Sequence, residues 1–114
     1  MKREIEYYET ASGSEPVREF IEELETRARS KVYQVFELLT EFGTILGQPH
    51  VTKVIGTPLW ELRILGDNSI RLFYVVVVHG KFLILHGFVK KQQKTPAREI
   101  NMAIKRLFDY KSRA

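Results

Sequence analysis

The order of apolar and polar positions along the chain predicts an opening strand followed by a first helix. Ile5, Tyr7 and Tyr8 form a short apolar stretch that is typical of a strand. Ser14 is a candidate N-cap, and Pro16 is tolerated in the first turn of the helix that follows. The apolar residues of this helix recur at i, i+3, i+4 and i+7 and are Val17, Phe20, Ile21 and Leu24.

A second helix is predicted after a break near residues 26–30. Its apolar stripe consists of Val32, Val35, Phe36 and Leu39. Gly43 is a plausible C-cap because glycine adopts the left-handed conformation that often ends helices. Two neighbouring helices with a short connection indicate an αα-hairpin. Residues 43–58, rich in Gly, Thr and Pro, are predicted to be a connecting loop.

Three strands are predicted in the second half of the chain, at residues 59–65, 70–78 and 82–89. The last two runs are dense in β-branched and aromatic residues, which favour strands. Gly66-Asp67-Asn68 and His79-Gly80 have the residue types of turns and separate the three runs. Together these features predict an antiparallel meander.

A final helix begins near Thr95-Pro96, with Pro96 predicted at its first position. Its apolar stripe is Ile100, Ala103, Ile104, Leu107 and Phe108. The element order is therefore β-αα-βββ-α. This order predicts an α+β fold with one mostly antiparallel sheet and helices packed on it. We expect residues 1–114 to form a single domain, because the length is close to that of one typical domain.

Composition limits the classes of protein to which the chain can belong. Hydrophobic residues make up 44% and charged residues 28%, as in globular proteins. The longest uncharged apolar run spans only seven residues, 72–78, whereas a membrane helix needs roughly 20. The charged N-terminal sequence MKREIEYYE lacks the apolar core of a secretion signal. We therefore expect a cytoplasmic protein that does not enter the membrane.

Charge is distributed unevenly along the chain. Residues 1–42 carry ten acidic and six basic side chains, whereas residues 43–114 carry four acidic and twelve basic ones. Such asymmetry favours a polyanionic or acidic partner for the C-terminal part. The alternative is that the basic residues only solvate a surface, and charge by itself does not separate these interpretations.

Several kinds of catalytic site are disfavoured by the residues present. The chain has no cysteine, and its three histidines, His50, His79 and His86, are not spaced as metal ligands on a helix. No glycine-rich phosphate loop and no G-x-S-x-G motif occurs. Paired carboxylates are scarce in the basic half, which argues against glycoside hydrolysis. We therefore expect no metal site and no cofactor.

The remaining candidates for chemistry are cations at the predicted strands. Arg63, Arg71, Lys90, Lys91 and Lys94 lie on or just after these strands, and a meander can bring them to one patch. An arginine within a strand must be paired or solvated, and clustered cations suit phosphate. Two alternatives remain open. Arg63 can pair with Glu61 on its own strand, and the lysines can simply solvate a strand end.

Aromatic residues and one histidine accompany these cations. Trp60, Phe73, Tyr74, Phe82 and Phe88 are suited to stacking on bases, but aromatic residues in strands more often belong to the core. His86 alternates with Ile84 and Phe88, so the favoured interpretation is a hydrogen-bonded histidine of the sheet, with catalysis as the alternative.

Three segments carry a resemblance to a known family. They are Pro58-Leu59-Trp60-Glu61-Leu62-Arg63, Arg71-Leu72-Phe73-Tyr74 and His86-Gly87-Phe88-Val89-Lys90-Lys91-Gln92-Gln93-Lys94-Thr95-Pro96. With these segments the chain resembles the phage-derived HigB-type branch of the RelE/ParE toxin superfamily. The last segment enters a helix that carries Glu99-Ile100 and Ala103, and this combination is the most specific part of the resemblance.

The resemblance implies a RelE-like fold and the toxin of a bacterial type II toxin–antitoxin pair. It implies a metal-independent endoribonuclease that cuts mRNA on the ribosome and a helix-turn-helix antitoxin as partner. By position it implies catalytic roles for Arg63, Arg71 and Lys91, and RNA-binding roles for Lys90, Lys94 and Glu61. Glu61 stands where RelE-like toxins can carry a lysine. Tyr110 lies too far along the chain to match their C-terminal tyrosine, so the proton-transfer residues stay open.

Two other functions compete with RNA cleavage. ParE-like members of the same superfamily share the fold and bind a DNA topoisomerase without catalysis. A phage protein with the fold and no toxicity is a third alternative. RNA cleavage needs the cation cluster, whereas topoisomerase binding does not.

Overall fold

A five-stranded sheet lies at the centre of the protein, with helices on both of its faces. The computed structural model describes residues 3–66 and 69–114. The strands are β1 (Ile5–Tyr7), β2 (Val51–Lys53), β3 (Trp60–Arg63), β4 (Ile70–Val76) and β5 (Phe82–Val89). The helices are α1 (Pro16–Glu22), α2 (Thr26–Phe42) and α3 (Ala97–Arg113).

The strands are arranged in the order β1-β5-β4-β3-β2. Strand β1 runs parallel to β5, and every other neighbouring pair is antiparallel. Strands β3, β4 and β5 form the predicted meander. His79 and Gly80, between β4 and β5, both have positive φ, which fits the turn predicted there. The predicted turn residues Asp67 and Asn68 lie outside the described residues. The predicted α+β fold is confirmed.

The predicted loop at residues 43–58 is wrong in part, because it contains the short strand β2. Val51 is buried and lies opposite the fully buried Leu62 of β3. Strand β2 has only three residues, of which Val51 alone is a buried apolar residue. A segment this short shows no alternation of apolar and polar residues from which a strand could be predicted. The observed order is therefore β-αα-ββββ-α.

Two hydrophobic cores lie on opposite faces of the sheet. Along β4, Leu72 and Tyr74 pack into the core beneath α1 and α2. Phe73 and Val75 alternate with them and pack into the core beneath α3. This alternation follows from the two-residue period of a strand. Because both faces of β4 are covered, its sequence is almost continuously apolar.

The helix ends agree with the sequence predictions only in part. Gly43 ends α2 with φ of 65°, as predicted. Helix α2 already begins at Thr26, so the break after α1 falls earlier than predicted. Ser14 does not cap α1, because Glu15 occupies the N-cap and the Ser14 hydroxyl lies 2.9 Å from the Thr10 hydroxyl.

The buried stripe of α3 is narrower than predicted. Ala103 and Leu107 are buried against the sheet, whereas Phe108 is 71% exposed. Phe108 lies about 100° around the helix from Leu107. Its ring therefore lies outside the face of α3 that packs against the sheet. The predicted burial of Phe108 is therefore wrong. Among the described residues, no helix is long and apolar enough to cross a membrane.

Candidate functional site

The charged side chains of β3 and β4 lie on the face of the sheet that α3 partly covers. Glu61 and Arg63 flank Leu62, which is buried in the core beneath α1 and α2. Arg71 likewise precedes Leu72, which belongs to that same core. Because successive side chains of a strand point to opposite faces, all three charged residues share the α3 side.

Glu61 and Arg71 form an ion pair between these two strands. The Glu61 Oε2 atom lies 2.9 Å from Arg71 Nε, and their side chains are only 15% and 8% exposed. Arg71 Nη1 also donates a hydrogen bond to the carbonyl of Ile70 at 3.1 Å. Arg71 is thus a paired, buried arginine. Its partner Glu61 is not paired with Arg63, the neighbour considered from the sequence.

Arg63 lies directly opposite Arg71 in the register of β3 and β4. Burial lowers the pKa of Arg71, the Glu61 carboxylate counteracts this effect, and the positive charge of Arg63 adds to the lowering. Arginine nevertheless stays protonated at neutral pH, because its ordinary pKa is so high. This part of the sheet therefore holds two permanent positive charges and one carboxylate.

A shallow depression of about 380 Å³ lies beside this ion pair. Arg71 contributes one side, and the segment after β5 contributes the rest: Lys90, Lys91, Gln92 and Gln93. The backbone N–H of Lys90 donates to the carbonyl of Ser69, just before β4, at 2.5 Å. This bond holds the end of β5 next to the start of β4. The depression is polar and open, as a site for a backbone phosphate needs to be.

The structure gathers part of the predicted cation patch at one place. Arg71, Lys90 and Lys91 line the depression. Arg63 stands across from Arg71 on β3 and is half-buried. Lys94 lies farther along the exposed segment and is not among the residues that line the depression. The depression is therefore lined by three cations, one of which, Arg71, is paired with Glu61.

A hydrogen-bonded group that the sequence did not reveal lies on the same face. His86 Nε2 is 2.7 Å from Glu99 Oε1 on α3. Arg106 Nη1, also on α3, donates to His86 Nδ1 at 3.2 Å and to the carbonyl of Leu85 at 3.0 Å. The His86 ring stacks on Phe88 with a centroid distance of 5.7 Å. Phe88 in turn lies opposite Arg71, so the two groups are neighbours.

The proton arrangement of His86 follows from its partners. A guanidinium only donates hydrogen bonds, so Nδ1 accepts from Arg106 and the ring proton sits on Nε2, which donates to Glu99. Burial lowers the pKa of His86, the bond to Glu99 partly restores it, and Arg106 lowers it further. His86 is therefore a neutral, hydrogen-bonded histidine of the sheet, the interpretation that the sequence favoured.

A bulge in β5 turns His86 towards α3. Phe73 pairs with His86, but the next residue, Tyr74, pairs with Ile84, so Leu85 is an extra residue in β5. Ile84 then faces the core beneath α1 and α2, while Phe88 faces α3 together with His86. The alternation expected from the sequence is interrupted here, and the partners Glu99 and Arg106 were missed for this reason.

Most aromatic residues of the strands belong to the cores, as the sequence favoured. Phe73, Tyr74 and Phe82 are at most 1% exposed, and Phe88 is 6% exposed. Tyr110 donates a hydrogen bond to Glu6 at 3.3 Å, and it does not line the depression. Within residues 3–66 and 69–114, no group of three or more metal-binding side chains comes together.

Comparison with known proteins identifies a family and a similar solved structure. The model of the family described as "Phage derived protein Gp49-like" matches residues 19–108. The structure is similar to that of an Escherichia coli RelE toxin variant with two arginine-to-alanine substitutions, in the free state. The TM-score is 0.64 at 15% sequence identity, covering 94% of this chain and 99% of that one. No curated protein sequence matches the chain significantly.

Proposed function

Because the chain belongs to the phage-derived Gp49-like family and has a RelE-like fold, we propose that it is the toxin of a bacterial type II toxin–antitoxin pair, of the HigB type. Its activity in this proposal is cleavage of mRNA on the ribosome, in the cytoplasm. The observation that carries the proposal is the depression that joins Arg71 to Lys90 and Lys91. An arginine beside lysines is suited to binding a phosphate. The arginine can form two hydrogen bonds to the phosphate, and the lysines attract it by their positive charge.

Cleavage would proceed by attack of the RNA 2′-hydroxyl oxygen on the adjacent 3′ phosphorus. The phosphorus–oxygen bond to the next nucleotide breaks, which leaves a 2′,3′-cyclic phosphate and a free 5′-hydroxyl. Negative charge grows on the phosphoryl oxygens, and Arg71 and Lys91 stabilise it. Arg63 orients the phosphate, while Lys90 and Lys94 hold neighbouring phosphates of the same strand.

A base must accept the proton of the 2′-hydroxyl. Glu61 is the carboxylate nearest to Arg71, and its Oε2 atom already contacts that arginine. Its Oε1 atom is then the acceptor in this proposal, and a lysine of the depression is the alternative base. The proton passes on to the departing 5′-oxygen. His86 is a poor candidate for this step, because both ring nitrogens already have partners.

The ribosome supplies what the site lacks. A depression lined by cations and amides holds a phosphate but does not align the attacking and leaving oxygens of a flexible strand. Positioning of the reacting groups is worth several orders of magnitude in rate. We therefore expect cleavage of ribosome-bound mRNA and little cleavage of free RNA. The helix-turn-helix antitoxin expected as partner would keep the toxin inactive.

Pulse labelling of cells after induction tests the function directly. Methionine incorporation should fall before thymidine incorporation, since mRNA cleavage stops translation first. An earlier fall of thymidine incorporation would instead favour a ParE-like protein that binds a DNA topoisomerase. Unchanged growth under strong induction would favour a phage protein that has the fold without toxicity.

Cleavage in a purified translation system tests the site. Arg71→Ala and Lys91→Ala should each lower the single-turnover rate by about 10²–10³-fold, because each removes a charge contact from the transition state. Arg27→Ala is a matched control, since Arg27 is an exposed cation of α2 near Lys31 and Gly66, outside the depression. Equal rates for all three variants and the wild type would contradict the site assignment. Melting temperatures are needed alongside, because Arg71 is buried.

A further inference from the structure

The segment that carries the lysines of the depression makes few hydrogen bonds within the described part of the chain. It links β5 to α3 and contains Lys90, Lys91 and Lys94. Lys90 is held by its backbone hydrogen bond to Ser69. For residues 91–94, all exposed, the described part of the chain provides no hydrogen bond. The position of Lys91 therefore depends on how the two ends of the segment are fixed.

The hydrogen bond between His86 and Glu99 joins those two ends. His86 lies four residues before Lys90, and Glu99 lies in the first turn of α3. Their contact at 2.7 Å is largely withdrawn from solvent, with the side chains 14% and 17% exposed. A hydrogen bond from a neutral histidine to a carboxylate is charge-assisted, and partial burial strengthens it.

Two further features hold the His86 ring in place. Arg106 occupies the second ring nitrogen and the carbonyl of Leu85, which fixes the tautomer. Phe88 stacks on the ring at an interplanar angle of 16°. Strand β5 also contains the bulge that turns His86 to this face. A bulge interrupts a ladder of hydrogen bonds, so it marks a place where the direction of a side chain matters.

We propose that His86 and Glu99 are positioning residues, which close the base of the lysine segment and so hold Lys90 and Lys91 against Arg71. The expected effect on mRNA cleavage rests on the proposed function, whereas the expected effect on the position of the lysine segment does not. Neither residue contacts the RNA. They act through the lysines, because a displacement of about 1 Å in a catalytic group can lower a rate by about 10²-fold.

Amide hydrogen exchange of Lys90, whose N–H donates to the carbonyl of Ser69, tests the structural part without any RNA. Glu99→Ala should accelerate exchange of this amide by about tenfold, since the bond between His86 and Glu99 limits local opening of the segment. Glu99→Gln keeps an acceptor for His86 Nε2 and should restore most of the protection. Tyr8→Phe is the matched control, because it removes a different bond to α3, from Tyr8 to Asp109, and leaves the segment closed.

Kinetics on ribosomes programmed with mRNA test the catalytic part. Glu99→Ala should lower kcat by about 10- to 100-fold with a smaller change in KM, and Glu99→Gln should recover most of kcat. Tyr8→Phe should retain wild-type kcat. If Glu99→Ala does not fold, His86→Phe keeps the aromatic stack and removes the same bond, and it should show the same two effects.

The two experiments separate the two ways of failing. Wild-type exchange and wild-type kcat in Glu99→Ala would overturn the positioning role while the proposed function stood. Equal losses in Tyr8→Phe and Glu99→Ala would also overturn it, since both would then act only through general stability. If the wild-type protein cleaves no mRNA, the proposed function fails, and faster exchange in Glu99→Ala still decides whether the segment is closed by this bond.

Discussion

Arg63 and Arg71 lie directly opposite each other on β3 and β4. Two like charges in this arrangement destabilise a sheet. Glu61, two residues before Arg63 on β3, reduces that cost. Its carboxylate oxygen Oε2 lies 2.9 Å from Arg71 Nε. Under the proposed function, a phosphate bound beside Arg71 would reduce this cost further.

Glu61 and Arg71 should be energetically coupled in folding. Removing either partner leaves the other charge largely buried and unpaired, so each single alanine variant should lose stability. The double variant should lose less than the sum, with a coupling energy of about 1–3 kcal/mol. Urea denaturation of the four proteins measures this coupling. Additive losses would mean that the ion pair contributes nothing to the folded state.

Salt dependence should reveal which cations contact RNA. Binding of single-stranded RNA weakens with salt by a logarithmic slope of about 0.7 per phosphate contact, so replacing Lys90, Lys91 and Lys94 with alanine should flatten the slope by about 2. Fluorescence anisotropy across a salt series gives the slope. The control replaces Arg27, Arg29 and Lys31 of α2, on the other side of the sheet. A flattening only in the control would place RNA on the α2 surface.

Cleavage should not depend on a divalent metal ion. Arg71, Lys90 and Lys91 line the depression, and a cluster of cations repels Mg²⁺, which prefers carboxylate oxygens. Activity on programmed ribosomes should therefore survive replacement of Mg²⁺ by polyamines at levels that keep the ribosome assembled. The measurement is the yield of cleaved mRNA. Loss of cleavage on intact ribosomes, with recovery on adding Mn²⁺, would argue for a metal-dependent reaction.

Stability should fall on mild acidification because of His86. Burial holds its pKa below the ordinary value of 6.5, so the unfolded chain binds a proton more readily than the folded one. The stabilising contribution is complete above pH 6.5 and is lost as the pH falls through the lower pKa of folded His86. Urea midpoints between pH 7.5 and about 5 follow this loss.

The control for this pH dependence is a set of histidine variants. His86→Phe should lack the loss attributed to His86, whereas His50→Gln, which changes a loop histidine, should keep it. A wild-type pH profile in His86→Phe would show that other groups dominate the acid sensitivity.

Local patterns were sufficient for most elements of the fold. The strand β5 begins and ends where its β-branched and aromatic run does, and α3 follows its apolar stripe apart from Phe108. These elements are long, and their signals come from neighbouring residues. Strand β2 was not predicted, because its three residues are too few to show an alternating pattern. The strand is defined by its pairing with β3, in which Val51 lies opposite Leu62.

The sequence by itself determined which chemistry the site has: a set of arginines and lysines at strand positions, with Glu61 near them and no cysteine. Only the tertiary structure decided which of them meet. The register of β3 against β4 brings Glu61 into an ion pair with Arg71. The bulge in β5 directs His86 towards α3, where it forms hydrogen bonds with Glu99 and Arg106. The register and the bulge arise from pairing between two strands, so the pattern of residues within one strand does not specify which charged side chains meet.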